Sequence, residues 1–258
     1  LALGNVRARS AGSLAVTNTV VTNAAFQDSL DVSATTAVAN LAVTAPGNIL
    51  AGQTRAVGVA IGDAGSLAGT IVLGLSSNAN GVTGLTTSAL TGATVAVTGA
   101  AYDLASPTFA STMAFGNVRR GATSTLAVGN TVAVNGDAAF QDSLDLVATA
   151  SNASLSLAGA SVNVVAGSSA NVVVTAAATG SLAGSLSLGL TSNANGVTSL
   201  GNLALDGATV AITGAAYDLA SPTYVATNAL GNLRVGVTTK TLAVNNALIT
   251  DAAYQDKL

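Results

Sequence analysis

The chain has 258 residues, half of them apolar, with 7% charged residues, 3% aromatic residues and a formal net charge of −3. Abundant apolar residues with so few charges exclude intrinsic disorder, which needs the opposite balance, and a charge this weak and scattered excludes nucleic acid or an anionic membrane as an electrostatic partner. Cysteine is absent, so disulfides and thiolate metal sites are excluded too, and a cysteine-free chain suits export.

Near the start stands Leu3-Gly4-Asn5-Val6-Arg7, followed by Phe26-Gln27-Asp28-Ser29-Leu30. Both return as Phe115 to Arg119 with Phe140 to Leu144, and again as Leu230 to Arg234 with Tyr254 to Leu258. Between these copies, Ser77 to Thr83 matches Ser192 to Thr198, and Ala101 to Thr108 matches Ala216 to Thr223. Gly4, Gly116 and Gly231 recur at intervals of 112 and 115 residues. That interval is the size of a domain, not of a solenoid rung, which counts against a β-solenoid. The predicted organisation is one repeat over residues 1–110, a second over 111–225 and the opening of a third, its first two strands, over 226–258.

Within one repeat the apolar pattern has period two in short pieces. In the second copy these are Thr125 to Val128, Ser154 to Leu157, Val162 to Val165, Val172 to Val174, Ser185 to Leu190 and Thr209 to Ile212. Each is strand-sized, and Gly, Ser, Thr and Val interrupt every candidate helical stripe. The expected fold is therefore all-β, as tandem sandwiches of about seven strands. Asn80-Gly81 and Asn195-Gly196 mark tight turns, because both residue types tolerate positive φ. Thr91-Gly92 and Asp206-Gly207 occupy a second equivalent turn. Residues 146–205 carry no charge, yet polar and Gly residues break them before any membrane-spanning length is reached. Leu1 begins inside a repeat without a basic region or apolar signal core, so an export signal is expected to have been removed or to lie outside these residues.

All eight aromatics fall at four repeat positions: Phe26, Phe140 and Tyr254; Tyr102 and Tyr217; Phe109 and Tyr224; and Phe115. Core anchoring is the expected role. Arg7, Arg119 and Arg234 each precede Asp28, Asp142 and Asp256 by a similar interval, which predicts an ion pair inside each repeat.

A unit that opens Phe-Gly-Asn-Val-Arg-Arg-Gly at 115–121 and continues with Leu-Ala-Val-Gly-Asn resembles a known family. The same unit goes on with Val-Ala-Gly-Ser-Ser-Ala-Asn-Val-Val-Val at 165–174, Gly-Ser-Leu-Ala-Gly-Ser-Leu-Ser-Leu at 180–188 and Val-Ala-Ile-Thr-Gly at 210–214. It is similar to the immunoglobulin-like repeats of bacterial choice-of-anchor D proteins and the related ASH or hydin-type domains. The resemblance covers both full units and implies β-sandwiches in secreted or surface-anchored proteins without enzymatic activity of their own. No anchor or sorting signal accompanies the match here.

Chemistry is thinly represented. Without His, Cys or Glu, the usual general bases and metal ligands are missing. Lys240 and Lys257 are the only lysines and lie in the fragmentary third copy, so a Ser-Lys mechanism is not expected. Asp28 with Asp31 and Asp142 with Asp145 could be read as a glycosidase pair or as calcium ligands, but their recurrence fits caps and turns satisfied by backbone amides. No catalytic residue, cofactor or metal site is assigned, and no enzymatic activity is expected.

The function favoured by the sequence is an extracellular or cell-surface structural rod, filament or layer built by head-to-tail association of its repeats. An adhesin binding a glycan or a host receptor is the alternative. Because two isolated strands cannot bury a hydrophobic face, residues 229–258 are expected to be completed by another copy of the chain through strand addition, giving a homo-oligomer or filament. The assembly segment is read as Leu230, Leu242, Val244, Tyr254 and Leu258.

Overall fold

The computed structural model describes residues 1–133, 136–236 and 239–258, and among them regular structure is β-strand with three short 3₁₀ turns. The first copy runs through Ala2–Arg7 (β1), Ala11–Thr17 (β2), Ser29–Thr36 (β3), Leu41–Thr44 (β4), Gly47–Ile49 (β5), Thr54–Ile61 (β6), Gly65–Ser66 (β7), Gly69–Asn78 (β8), Ser88–Ala89 (β9) and Ala93–Tyr102 (β10). One sheet has the order β1-β10-β8-β3-β5, with β7 on β10 and β9 on β8; the other is β2-β6-β4. Placing the third, eighth and tenth strands together against the second, sixth and fourth gives the C-F-G and B-E-D sheets of an immunoglobulin-like sandwich. β1 runs parallel to β10, with Arg7 opposite Tyr102.

The second copy repeats this order with one strand more. It comprises Pro107–Phe109 (β11), Thr112–Arg119 (β12), Thr123–Asn130 (β13), Ser143–Ala150 (β14), Leu155–Ala158 (β15), Ser161–Val164 (β16), Ser169–Ala176 (β17), Gly180–Ser181 (β18), Gly184–Asn193 (β19), Leu203–Ala204 (β20) and Ala208–Tyr217 (β21). Its sheets are β12-β21-β19-β14-β16 and β11-β13-β17-β15.

The alternation read from sequence sets the inward faces. Leu186, Leu188 and Leu190 of β19 are buried while Ser187 and Gly189 between them face out. Leu126 and Val128 of β13 point inward likewise. Each copy closes around its own core, Leu67, Ile71 and Val97 among others in the first and Leu144, Val172 and Ile212 in the second. A fully buried side chain of this size contributes about 1.5–3 kcal/mol.

Backbone conformation is specified at two places by Gly. Asn80 and Gly81, at φ 51° and 79°, and Asn195 and Gly196, at 51° and 73°, form the expected turns with consecutive positive φ. Gly99 and Gly214, at φ 150° and 139°, lie where β1 and β12 bulge toward the last strand; a Cβ on Gly214 would sit 2.6 Å from the Gly116 carbonyl oxygen.

The segment from Ala105 to Met113 joins the two copies as more than a bare linker, because β11 pairs antiparallel with β13 and so belongs to the following sandwich. One expectation changes. In residues 226–258, where two strands are expected, one forms: Val244–Asn246 (β23) pairs with Pro222–Tyr224 (β22). Leu230 to Arg234 forms no strand. Its counterparts β1 and β12 are held by the last strand of their own sandwich, and residues 226–258 contain no such strand; residues 237 and 238 of this tail lie outside the described residues. Among the described residues no helix is long and apolar enough to cross a membrane.

Candidate functional site: a junction built twice

The recurring polar and aromatic residues converge where one repeat meets the next. β1 ends at Arg7 beside the end of β10, at the trailing face of the first sandwich. Asp28 belongs to the opposite, leading face of that sandwich, so the two cannot meet. Arg7 instead reaches the following repeat, where Nη1 donates to Asp142 Oδ2 at 2.8 Å and Nη2 donates to the Gly201 carbonyl at 2.9 Å. Asn5 Nδ2 adds a bond to the Thr198 carbonyl at 3.1 Å. The predicted pairs within a repeat are thus replaced by pairs offset by one repeat: Arg7 with Asp142 and Arg119 with Asp256. Among the described residues Arg234 forms no ion pair.

Asp142 is buried, its side chain 1% exposed. Besides Arg7, its Oδ2 accepts the Ser192 hydroxyl at 2.7 Å, and that hydroxyl oxygen accepts the Ala105 N–H at 2.8 Å. The backbone crosses the boundary as a parallel bridge between Asp103 and Gln141, with the Asp103 N–H on the Phe140 carbonyl at 2.9 Å and the Asp142 N–H on the Asp103 carbonyl at 3.0 Å. Arg9 Nη1 holds Asp103 Oδ1 at 2.8 Å. Above this, the Tyr102 and Phe140 rings lie 5.6 Å apart at 57°, a tilted aromatic pair.

Beneath the boundary Asn130 acts as a hub. Its Oδ1 accepts the Ser106 N–H at 2.8 Å and the Gln141 side-chain amide at 3.0 Å, while its Nδ2 donates to the Asp142 and Val164 carbonyls. These bonds fix the exit strand β11, which leaves the first repeat and becomes an edge of the second.

The second junction reproduces the core of the set, with Arg120 taking the part of Arg9 from one position earlier in the repeat. Arg119 pairs with Asp256, Arg120 Nε approaches Asp218 Oδ1 at 3.7 Å, and the Tyr217 and Tyr254 rings lie 5.7 Å apart at 54°. Asp218 bridges Gln255, Asn246 Oδ1 accepts the Ser221 N–H at 2.7 Å, and Gln255 Nε2 donates to Asn246 Oδ1 at 3.1 Å. The hydrogen bond from Arg119, with a smaller contribution from its charge, holds the Asp256 carboxyl below its ordinary value, and the Arg119 guanidinium is raised in return. This copy is more open, with side chains 52% and 37% exposed for Arg119 and Asp256.

The aromatics therefore have a second role beside core anchoring. Phe109 and Phe115 pack against the second core, whereas Tyr102, Phe140, Tyr217 and Tyr254 make the junction stacks and Phe26 and Tyr224 are exposed. Asp31 and Asp145 are not satisfied by backbone amides as caps would be. Asn48 and Asn78 donate to the Asp31 carboxylate at 2.7 and 2.6 Å and hold its pKa down; Asn163 and Asn193 donate to the Asp145 carboxylate at 2.7 and 2.6 Å. Caps of the expected kind come from Asn23, Asp137 and Asp251, whose side chains accept from the 3₁₀ turns.

Of the assembly segment read from sequence, Tyr254 lies in the second junction and Val244 in β23, while Leu230, Leu242 and Leu258 are exposed. The Asn and Gln hubs were absent from that reading, although Asn18, Asn130 and Asn246 recur after Leu-Ala-Val and Gln27, Gln141 and Gln255 recur before Asp.

No family model matches the chain, and no curated protein does. Among solved structures, the chain is similar to a protein of unknown function from Porphyromonas gingivalis W83, with 13% identity over 80% of this chain and 91% of the other and a TM-score of 0.31. The D00-D0 domain of intimin aligns at 11% identity over 80% and 94%, with a TM-score of 0.33. A chaperone and tip adhesion subunit complex of the Csu pili of Acinetobacter baumannii aligns at 11% over 82% and 95%, with a TM-score of 0.23. None of these superimposes closely, and the immunoglobulin-like assignment rests on the sheet order above.

Proposed function

We propose that this chain is a structural, extracellular array of immunoglobulin-like repeats, spanning 1–110, 111–225 and the opening of a third over 226–258, in which each repeat seats on the next to make a stiff rod. The observation that carries this reading is the junction built twice from the same repeat positions: an arginine on the trailing face, an aspartate on the next leading face, an aromatic stack between them and an exit strand added to the following sheet. Hydrogen bonds and a strand pairing across the boundary oppose bending there, and nearest-neighbour contacts of this kind give tandem arrays length and stiffness. The low content of charged residues and the absence of cysteine suit a place outside the cell. Resemblance to choice-of-anchor D repeats points the same way.

The third copy supports continued assembly. Leu242 and Val244 are each 53% exposed, whereas their counterparts Leu126 and Val128 are 2% and 0% exposed. In this reading Leu242 and Val244 present the face that Leu126 and Val128 bury in a complete sandwich, and Leu230 and Leu258 are exposed alongside them.

Immunogold electron microscopy of the source cells tests the reading. Label in continuous strings or a layer outside the cell envelope is expected, and label confined to the cytosol would contradict it.

A further inference from the structure

The leading face of the first repeat carries the same groups as those of the second and third, and its junction partners are missing among the described residues. Asn18 Nδ2 donates to the Asp28 and Ile49 carbonyls, Gln27 Nε2 donates to Asn18 Oδ1 at 2.9 Å, and Ser77 donates to Asp28 Oδ2 at 2.7 Å. These are the bonds made by Asn130, Gln141 and Ser192 at the first junction. What differs is the other half. Asn18 Oδ1 receives no backbone N–H of the kind Ser106 and Ser221 supply to its counterparts. Asp28 has no arginine, and β2 pairs on one side only, with β6, where β13 holds both β17 and β11. Phe26 is 90% exposed, while Phe140 and Tyr254 are covered by tyrosine rings. Between Phe26, Gln27, Asp28, Asn18, Val21 and Leu90 lies a groove of about 580 Å³.

We infer that this groove is a docking site for the exit strand of another repeat of the same type, a segment reading Ala-Tyr-Asp-Leu-Ala-Ser-Pro-Thr-aromatic. The two occupied junctions define its chemistry. The tyrosine stacks on Phe26 as Tyr102 does on Phe140. The aspartate bridges Gln27 through its backbone, the serine N–H closes the free lone pair of Asn18 Oδ1, and Pro-Thr-aromatic adds to the open edge of β2 as β11 adds to β13. Proline at the head of that strand fits, because an edge strand does not need its N–H. An arginine from the neighbouring strand of the incoming repeat complements Asp28. The occupant is neither of this chain's own exit strands, since β11 and β22 are already paired with β13 and β23. Strand addition of this kind takes its affinity from main-chain bonds and its selectivity from side-chain pockets.

This inference rests on reading the junction as a stacking contact, but its test is separate from the localisation test. A synthetic peptide with the sequence of residues 101–111 is titrated into the 15N-labelled full chain and followed by amide shifts. Saturable shifts centred on Asn18, Val21, Phe26, Gln27 and Asp28 are expected. A peptide carrying Ser106→Pro, which lacks the N–H that Asn18 would accept, should bind at least about tenfold more weakly, equivalent to about 1.4 kcal/mol. Phe26→Ala in the full chain removes an exposed ring without touching a core and should weaken binding about fivefold or more. No saturable shift at this face, shifts elsewhere, or equal binding of the Ser106→Pro peptide would overturn the assignment. Shifts of the same amides that grow with protein concentration alone, without peptide, would put a second copy of this chain on the face and overturn the choice of occupant. Extracellular strings of label with no peptide binding would sink this inference and leave the proposed function standing.

Discussion

Replacing Arg7 by Ala tests the junction where its energetics are least screened. Asp142 is 1% exposed and Arg7 27% exposed, so the substitution strands a buried carboxylate with only the Ser192 hydroxyl beside it and also removes the bond to the Gly201 carbonyl. Breaking a buried ion pair from one side costs about 3–5 kcal/mol. Arg7 is about one quarter exposed, and water entering its place recovers part of that, leaving a loss of about 2–3 kcal/mol. At a urea slope of about 1–3 kcal/mol/M, the unfolding midpoint should fall by roughly 1 M, read by circular dichroism with hydrogen exchange assigning the loss to the boundary. Arg119→Ala is the internal control: its partner is 37% exposed and solvent screens the pair, so the loss should be clearly smaller than for Arg7→Ala. Adding Asp142→Asn to Arg7→Ala removes the stranded charge and should restore about half the loss. Equal losses for Arg7→Ala and Arg119→Ala, or no measurable loss for either, would refute the reasoning.

Three further outcomes are expected. Ser192→Ala removes the donor to Asp142 and the acceptor for the Ala105 N–H, and should cost about 1–3 kcal/mol in the same unfolding assay; a loss below measurement would show that the hydroxyl is not part of the junction. Gly214→Ala forces a Cβ toward the Gly116 carbonyl at positive φ, and calorimetry should show the second sandwich destabilised by about 2–4 kcal/mol. The Asp256 carboxyl is lowered by Arg119, so its contribution is fully present above the ordinary carboxylate value of about 4 and is lost as pH falls through the depressed folded value. Nuclear Overhauser contacts between the Tyr217 and Tyr254 rings should therefore weaken in acid below about pH 4, and in Asp256→Asn the tail contact should lack that acid step.

The sandwich was legible because the signals that specify it are local. Ser-Leu-Ser-Leu-Gly-Leu at 185–190 can bury only one face as a strand, and Asn80-Gly81 and Asn195-Gly196 can satisfy their φ angles only in a turn. The repeat period exposed the recurring Arg, Asp and aromatic positions equally well. Which copy each would touch was not legible. Arg7 and Asp28 lie at opposite ends of one sandwich, a fact that depends on β1 running parallel to β10 and finishing beside Tyr102, and a parallel pairing between the first and last strands leaves no trace in local periodicity. Repetition made the choice ambiguous as well, since an interval within a repeat and an interval between repeats predict the same residue types. The exit strand was hidden for a similar reason: three residues, Pro107-Thr108-Phe109, are too short to show alternation, and only the neighbouring edge of β13 makes them a strand.

The central claim is that consecutive repeats are locked in one geometry. Because the chain has no cysteine, Thr70→Cys and Ser187→Cys place one spin label on an exposed strand of each sandwich, and double electron–electron resonance reads the distance between them. A single narrow distance distribution is predicted, broadening when Arg7→Ala is added; a broad distribution in the otherwise unaltered chain would contradict the account.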